Sequence, residues 1–232
     1  ANTNSITKYL KLHKKDKTIT TLNLNYSFGF SIINTHIKSG SSIVVTNKSL
    51  FEKEFWTLFK NNAITSFYGV PSTFQMLEKI KFFNLKKINL RFLAAAGGKL
   101  DSALLKYFTK KSLKKKIDFY YMYGQTEASP RISYIKSKDI IKNLGSIGKP
   151  IEQGNLLLLN EKDEIIKKPK EIGHIHYSGP NIMMGYVSKK KDLEIFKKRN
   201  ETLMTGDIGY FHENNFYYIT GRESRYIKID FV

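Results

Sequence analysis

The run YMYGQTEASPR at residues 121–131 gathers several chemically able side chains in a short space. Tyr123 offers a flat aromatic face on which a base can stack. Gly124 permits an unusual backbone angle or the close approach of a ligand. The hydroxyl of Thr126 can meet a phosphate. Glu127 supplies a carboxylate, which magnesium takes together with phosphate oxygens. A nucleotide site could use all of these. A turn at the end of a strand uses some of the same residue types, so the run by itself leaves both readings open.

Three further runs carry similar chemistry: KEIGHIHYSGPNIMMGY (170–186), TGDIGYF (205–211) and GRESRYIKI (221–229). Asp207 lies between a glycine and an apolar residue. Its carboxylate could accept both hydroxyls of a ribose, as acidic residues do in dinucleotide sites, or it could be a turn aspartate. Of 39 lysines and arginines only five are arginine, and Arg131, Arg222 and Arg225 all fall within these runs.

Alternating elements are expected to position these residues. FEKEFWTLFKNN (51–62) has apolar residues at helical spacing, and AITSFYGV (63–70) reads as a buried strand. PSTFQMLEKIKFF (71–83) reads as a helix with Pro71 in its first turn. RFLAAAGG (91–98) is a strand entering a glycine turn. DSALLKYFTKK (101–111) is a helix with Asp101 as its N-cap, and IDFYYMYG (117–124) is another strand. This alternation implies a parallel sheet covered by helices, with ligands at the carboxyl ends of its strands, where AAGGK and YGQTE both sit. After about residue 145 the pattern becomes mostly β. NLLLLNEKDEIIKK (155–168) reads as a hairpin, GHIHYSG (173–179) as a strand, and DIGYFHENNFYYITG (207–221) as a hairpin turning at HENN.

Composition limits the alternatives. The 232 residues, 41% apolar and 13% aromatic, suffice for a large packed domain, with or without a smaller one. No run of about 18 apolar residues marks a membrane span. The absence of cysteine excludes disulfides, thiol catalysis and cysteine metal sites within these residues. The charge of +19 raises the possibility of a nucleic-acid-associated module. Against it, the lysines are scattered, arginine is sparse, and base readers lean on arginine. The densest run, KKSLKKK (110–116), is expected to end a helix, where lysines complement the dipole.

Together, in this order and spacing, YGQTE, TGD and GR…IK resemble the adenylate-forming superfamily of acyl-CoA synthetases, amino-acid-activating domains and luciferases. The stretches YSFGFSIINTHIKSG (26–40) and EFWTLFKNNAITSFYGVPSTFQML are similar in particular to AMP-ligases of bacterial surface-polysaccharide clusters. The resemblance implies an α/β fold, part of the family's large N-terminal domain. Residues 1–144 would form an α/β adenylate-binding subdomain incomplete at its start, 145–220 a smaller β-rich distorted barrel, and 221–232 the start of a hinge. It implies that Tyr123 stacks on adenine and that the Gly97–Gly98 turn lies along the adenine and acyl pocket. Gly124 and Gln125 belong to the same nucleotide-binding run. Thr126 contacts the α-phosphate, Glu127 binds magnesium, Asp207 holds the ribose hydroxyls, and Arg222 reaches ribose or phosphate. Lys228 would serve the second half-reaction. His36 and Tyr68 fall in regions that shape the carboxylate pocket, although His36 could equally be a satisfied, partly buried histidine.

The implied activity is activation of a carboxylic acid by ATP and Mg2+ as an acyl-adenylate. Transfer to a thiol, of CoA or a carrier-protein phosphopantetheine, or to an amine would follow. The expected setting is cytoplasmic, with a small carboxylic acid as substrate, a possible acyl-carrier-protein partner, no specific nucleic acid and no membrane span. The alternatives are an inactive structural relative or a basic nucleic-acid-associated binding module. The family's hinge aspartate is replaced here by Ser224. Its glycine-rich phosphate loop would precede Asn2, and its small C-terminal domain would follow Val232. The chain is therefore expected to be an internal fragment that does not catalyse adenylation by itself.

Overall fold

The computed structural model describes residues 1–192 and 202–223. Strands β1 (Lys17–Ile19), β2 (Ser42–Val44), β3 (Ser66–Gly69), β4 (Phe92–Ala95) and β5 (Asp118–Gly124) lie parallel, in the order β2-β1-β3-β4-β5. Helix α1 (Asn2–Tyr9) precedes them. Helices α2 (Ser27–Ser39), α3 (Lys53–Asn61), α4 (Pro71–Lys79) and α5 (Ser102–Lys114) carry the chain from each strand to the next in sequence. Parallel strands require such crossovers, and the apolar runs of β3 and β4 are buried throughout, as a sheet covered on both faces demands.

Alternate residues of each strand feed two cores, as a period of two requires. Phe67, Leu93, Phe119 and Tyr121 face α3, α4 and α5. Tyr68, Phe92, Tyr120 and Met122 face α1 and α2, against Ile6, Leu10 and Phe28. Helix α3 presents Phe55 and Phe59, one turn apart, and buries both. Helix α5 starts where Asp101 Oδ1 accepts from the N–H groups of Ala103 (2.8 Å) and Leu104 (3.2 Å). It ends within the lysine run, at Lys114.

Beyond β5 the pairing turns antiparallel. Strand β6 (Arg131–Lys136) pairs with β5 and β7 (Ser146–Pro150) with β6; a short helix, α6 (Ser137–Ile140), connects β6 to β7. The sheet continues through β11 (Tyr217–Arg222), β10 (Leu203–Phe211), β9 (Gly173–Ser178) and β8 (Asn155–Leu159). The described strands thus form one eleven-stranded α/β sheet, parallel in its first half.

Three local expectations are corrected. The helix expected over 71–83 ends at Lys79; Lys81 takes a left-handed φ of 52°, and a 3-10 turn at Phe82–Asn84 buries Phe82 and Phe83. Burial of two aromatic rings outweighs continuation of the helix. The hairpin expected over 155–168 is only begun, since Leu159 bridges Ile165 while residues 155–159 pair along their length with β9. The antiparallel portion starts at Arg131, ahead of residue 145, because β6 and β7 carry Arg, Ser, Gly and Pro and do not read as apolar strands. The 207–221 hairpin forms as expected, with its turn at His212–Asn215.

The amino ends of the strands are tied by an ion pair between a buried aspartate and a half-buried arginine. Arg91, just before β4, donates from Nε to Asp16 Oδ1 (3.0 Å) and from Nη2 to Asp16 Oδ2 (2.7 Å), and its Nη1 donates to Leu10 O (3.0 Å). Asp16 is fully buried. Burial alone would raise its pKa, but hydrogen bonds from Arg91, the His13 N–H and Thr65 outweigh that and hold it below the usual aspartate range. A carboxyl whose folded pKa is depressed contributes stability above its unfolded value, ~3.9, and loses it as pH falls through the folded value. Asp16→Asn is expected to cost about 1.5–3 kcal/mol at neutral pH, by removing the charge of the buried acceptor while Arg91, partly exposed, regains some hydration. It should also flatten the decline of the urea midpoint from about pH 5 downward. Parallel acid limbs in the two proteins would refute this role for Asp16.

Candidate active site

The carboxyl ends of β4 and β5 open into a cleft of about 660 Å³. One side is the start of α2, with Tyr26, Ser27 and Phe28; the other is the β10–β11 hairpin. Gly97 and Gly98 follow β4 and line the cleft, as does the run Tyr123–Gly124–Gln125–Thr126–Glu127. Asp207 and Arg222, distant in sequence, line it from the hairpin, where they are register partners. Nine of the residues singled out from the sequence therefore share one cavity. Lys228, Arg225 and the Ser224 position lie outside the described residues.

Two glycines are required by their surroundings. A Cβ at Gly124 would stand 1.9 Å from Pro130 O, so the strand end and the returning chain can touch only there. Gly97 has a φ of +82°, and a Cβ would meet Tyr26 Oη at 2.9 Å and Val70 Cγ1 at 3.0 Å.

The hydrogen bonds centre on Asp207, whose residue is 7% exposed. Tyr123 Oη donates to Asp207 Oδ2 at 2.5 Å. Gln125 Nε2 donates to Thr205 O at 2.7 Å and reaches Asp207 Oδ2 at 3.4 Å. Arg222 Nε stands 3.6 Å from Asp207 Oδ1. The Asp207 N–H donates to Thr205 Oγ1 (3.1 Å), which in turn donates to Ile175 O (2.6 Å). Burial, then the adjoining Asp207 charge, push the Tyr123 phenol far above its ordinary pKa. Tyr123 is therefore a neutral donor, and Asp207 an acceptor fixed in place by both side chains and backbone.

At the other end of the run the groups are more open. Thr126 Oγ1 lies 3.0 Å from Ser27 Oγ, and Glu127 Oε1 accepts from Tyr186 Oη at 2.5 Å. Among the described residues no cluster of three or more His, Asp or Glu could enclose a metal. A lone cleft carboxylate beside a hydroxyl does fit magnesium, which keeps waters and takes one or two carboxylates plus substrate phosphates.

His36 does not reach the cleft. It is fully buried; its Nδ1 lies 2.8 Å from Ile32 O and its Nε2 3.4 Å from Ser66 Oγ, and burial lowers its pKa. This is the satisfied structural histidine. Tyr68 is buried, edge-on to His36 at 5.8 Å between ring centroids, and its hydroxyl has no hydrogen-bond partner among the described residues. Sequence reasoning assigned no role to Tyr26, Ser27, Lys99 or Arg131, which all line the cavity. For Arg131 a signal existed, since it is one of five arginines and follows YGQTE by only four residues.

An open sheet, parallel in its first half, with hydroxyl and carboxylate groups at the carboxyl ends of its strands, is the frame of a nucleotide-binding enzyme. The chain belongs to the AMP-binding enzyme family, whose family model matches residues 1–187. It is 35% identical over 136 residues to a 2-succinylbenzoate–CoA ligase of Bacillus mycoides, covering 59% of this chain and 27% of that protein. It is 28% identical over 216 residues to the 2-succinylbenzoate–CoA ligase of Oceanobacillus iheyensis, covering 93% and 43%. Among solved structures, it superposes on the Bacillus subtilis O-succinylbenzoate coenzyme A synthetase, in complex with ATP and magnesium ion. The TM-score is 0.81 at 23% identity, covering 99% of this chain and 46% of that one. That likeness establishes the fold. The chain spans less than half the length of these relatives. No described helix is long and apolar enough to cross a membrane.

The Tyr123–Asp207 bond joins β5 to the hairpin across 84 residues of sequence. Tyr123→Phe removes a hydrogen bond to a charged acceptor, and a loss of about 1.5–3 kcal/mol is expected. Urea unfolding measures it. A midpoint and slope indistinguishable from the parent would show that the two elements do not depend on this bond.

Proposed function

We propose that the whole protein activates a carboxylic acid with ATP as an acyl-adenylate and then passes the acyl group to a thiol. The observation that carries this reading is the convergence of Tyr123, Asp207, Thr126 and Glu127 on one cleft at the strand ends. In the first step a carboxylate oxygen attacks the α-phosphorus of ATP. The new oxygen–phosphorus bond forms as the bond to pyrophosphate breaks. In the second, a thiolate displaces AMP from the acyl carbon. The names of the relatives support CoA as acceptor. A carrier-protein phosphopantetheine or an amine is a second acceptor class with the same chemistry. CoA and ATP as cosubstrates favour a cytoplasmic setting.

The chain's own residues orient and stabilise. Tyr123 would lay its ring on adenine while its hydroxyl stays on Asp207. The Gly97–Gly98 turn leaves room for the adenine edge. One Asp207 oxygen faces Tyr123 and Gln125, and the other, toward Arg222, would accept the ribose hydroxyls. Gln125 would hold Asp207 in register, and Arg222 would reach ribose or phosphate. Thr126 would donate to the α-phosphate, where charge develops. Glu127 would hold magnesium, which supplies charge neutralisation when bound. Orientation of this kind is worth several kcal/mol. The division at 144/145, the β-rich unit to residue 220, the hinge from 221 and a Lys228 role in transfer belong to the same proposal.

Asp207→Ala is expected to weaken AMP binding at least tenfold, since charge-assisted bonds contribute about 1.5–3 kcal/mol each. Equilibrium dialysis with labelled AMP measures it, and an unchanged dissociation constant sinks the ribose assignment. In the full-length protein, Glu127→Gln should raise the magnesium concentration needed for pyrophosphate exchange. A titration overlaying that of the parent would reduce Glu127 to a turn residue held by Tyr186.

A further inference from the structure

Among the described arginines, Arg91 and Arg222 each face an aspartate, and Arg131 faces none. Arg131 is 2% exposed and lines the cleft. No carboxylate oxygen of the described residues lies within 4.0 Å of it. Its guanidinium carbon sits 4.1 Å from the centre of the Phe28 ring, and Nη2 donates weakly to Ser31 Oγ at 3.4 Å. Among the described residues its Nε has no hydrogen-bond partner, and neither does the buried Tyr68 hydroxyl. Burial disfavours the charge, and what offsets it comes from neutral phenols, Tyr9, which also hydrogen-bonds the guanidinium, and Tyr68, with no carboxylate among them. A cation desolvated to this degree is costly unless paired. Stacking on Phe28 offsets only part of that.

The position indicates what completes it. Arg131 contacts Phe28 and Ser31 on α2, whereas Asp207 and Arg222 stand on the β10–β11 hairpin. The groups proposed for the ribose are therefore on a different wall, while Tyr123, proposed for adenine, stands on β5, whose Gly124 is the register partner of Arg131. Ser27 marks the reacting end, because its hydroxyl touches Thr126. Ser31 is four residues further along the same helix, a rise of about 6 Å. Resting on the adenylation reading above, we propose that Arg131 binds a second carboxylate at the far end of the acid. The substrate is then a short dicarboxylic acid whose carboxyls are separated by roughly that distance, of about four to six carbons. A guanidinium fork matches a planar carboxylate with two parallel bonds, and Phe28 and Met122 accommodate the methylenes between.

The test is equilibrium dialysis on the 232-residue chain with matched pairs: succinate and butyrate, glutarate and valerate, adipate and hexanoate. At least one diacid is expected to bind tenfold or more tightly than its monoacid. Equal affinities in all three pairs overturn the proposal. Arg131→Met should bring every pair to within threefold and leave the thermal midpoint without ligand equal or higher, since it removes an unpaired buried charge. Loss of AMP binding together with both acid types in that variant would mean a phosphate or packing role and would also overturn it. If Arg131→Met does not fold, Arg131→Lys decides. A weakened diacid preference at constant monoacid affinity supports the proposal, and an unchanged preference refutes it. AMP is dialysed in parallel on the unmodified chain. Acid discrimination without AMP binding would keep the Arg131 site and overturn the nucleotide reading. AMP binding without discrimination would do the reverse.

Discussion

Strand β5 is the constraint on which the rest of the structure depends. Three successive residues of it enter three different environments: Tyr121 the core under α5, Met122 the core under α1 and α2, and Tyr123 the cluster of the antiparallel half. The strand pairs parallel with β4 on one side and antiparallel with β6 on the other. A one-residue slip would exchange these faces and place a phenol where the thioether packs. Because β5 is held on all sides, the chain leaving it must begin the cleft at Gly124. Contact between Gly124 and the Pro130 carbonyl then folds the whole YGQTE run into a tight return.

Charge is distributed along the strands by function. At their amino ends the buried Asp16 and the half-buried Arg91 pair bidentately, and Arg91 also holds the carbonyl of Leu10 that ends α1. Both partners are satisfied there, so that end contributes stability. At the carboxyl ends the satisfaction is incomplete. Asp207 is fully engaged on the Tyr123 side but keeps only a long contact to Arg222 on the other. Arg131 is buried with an unused Nε. Buried polar groups are ordinarily satisfied, and exceptions concentrate where a ligand supplies the partner. The two ends of one sheet thus differ in how fully their charged groups are satisfied.

The cleft also depends on elements that contribute no reacting group. Helix α2 brings Ser27 to Thr126 and Ser31 to Arg131, so its register along the sheet sets the shape of that wall of the cleft. The β10–β11 hairpin brings Asp207 to Tyr123, and Thr205 anchors that hairpin to β9 through Ile175 O. Rigid elements on both sides of a polar run are what pre-organised orientation requires.

The alternation of apolar strands and amphipathic helices, the Asp101 cap, the hairpin at HENN and the chemical types in YGQTE and TGD are all local patterns. They follow from periodicity, capping and turn chemistry within a dozen residues, so the sequence by itself determined them and the family they signal. It could not show β6 and β7 as strands, because their Arg, Ser, Gly and Pro are tolerated only through neighbours distant in the chain. Nor could it show the end of α4 at Lys79, decided when Phe82 and Phe83 found the core. The different fates of two candidates, Asp207 in the cleft and His36 sealed behind Ser66, were decided by tertiary structure alone. Whether a polar group is satisfied depends on what packs against it, and in a sheet fold those neighbours come from strands tens of residues away. For the same reason the environment of Arg131 is invisible in the sequence, since only the folded chain keeps the carboxylates of the described residues away from it.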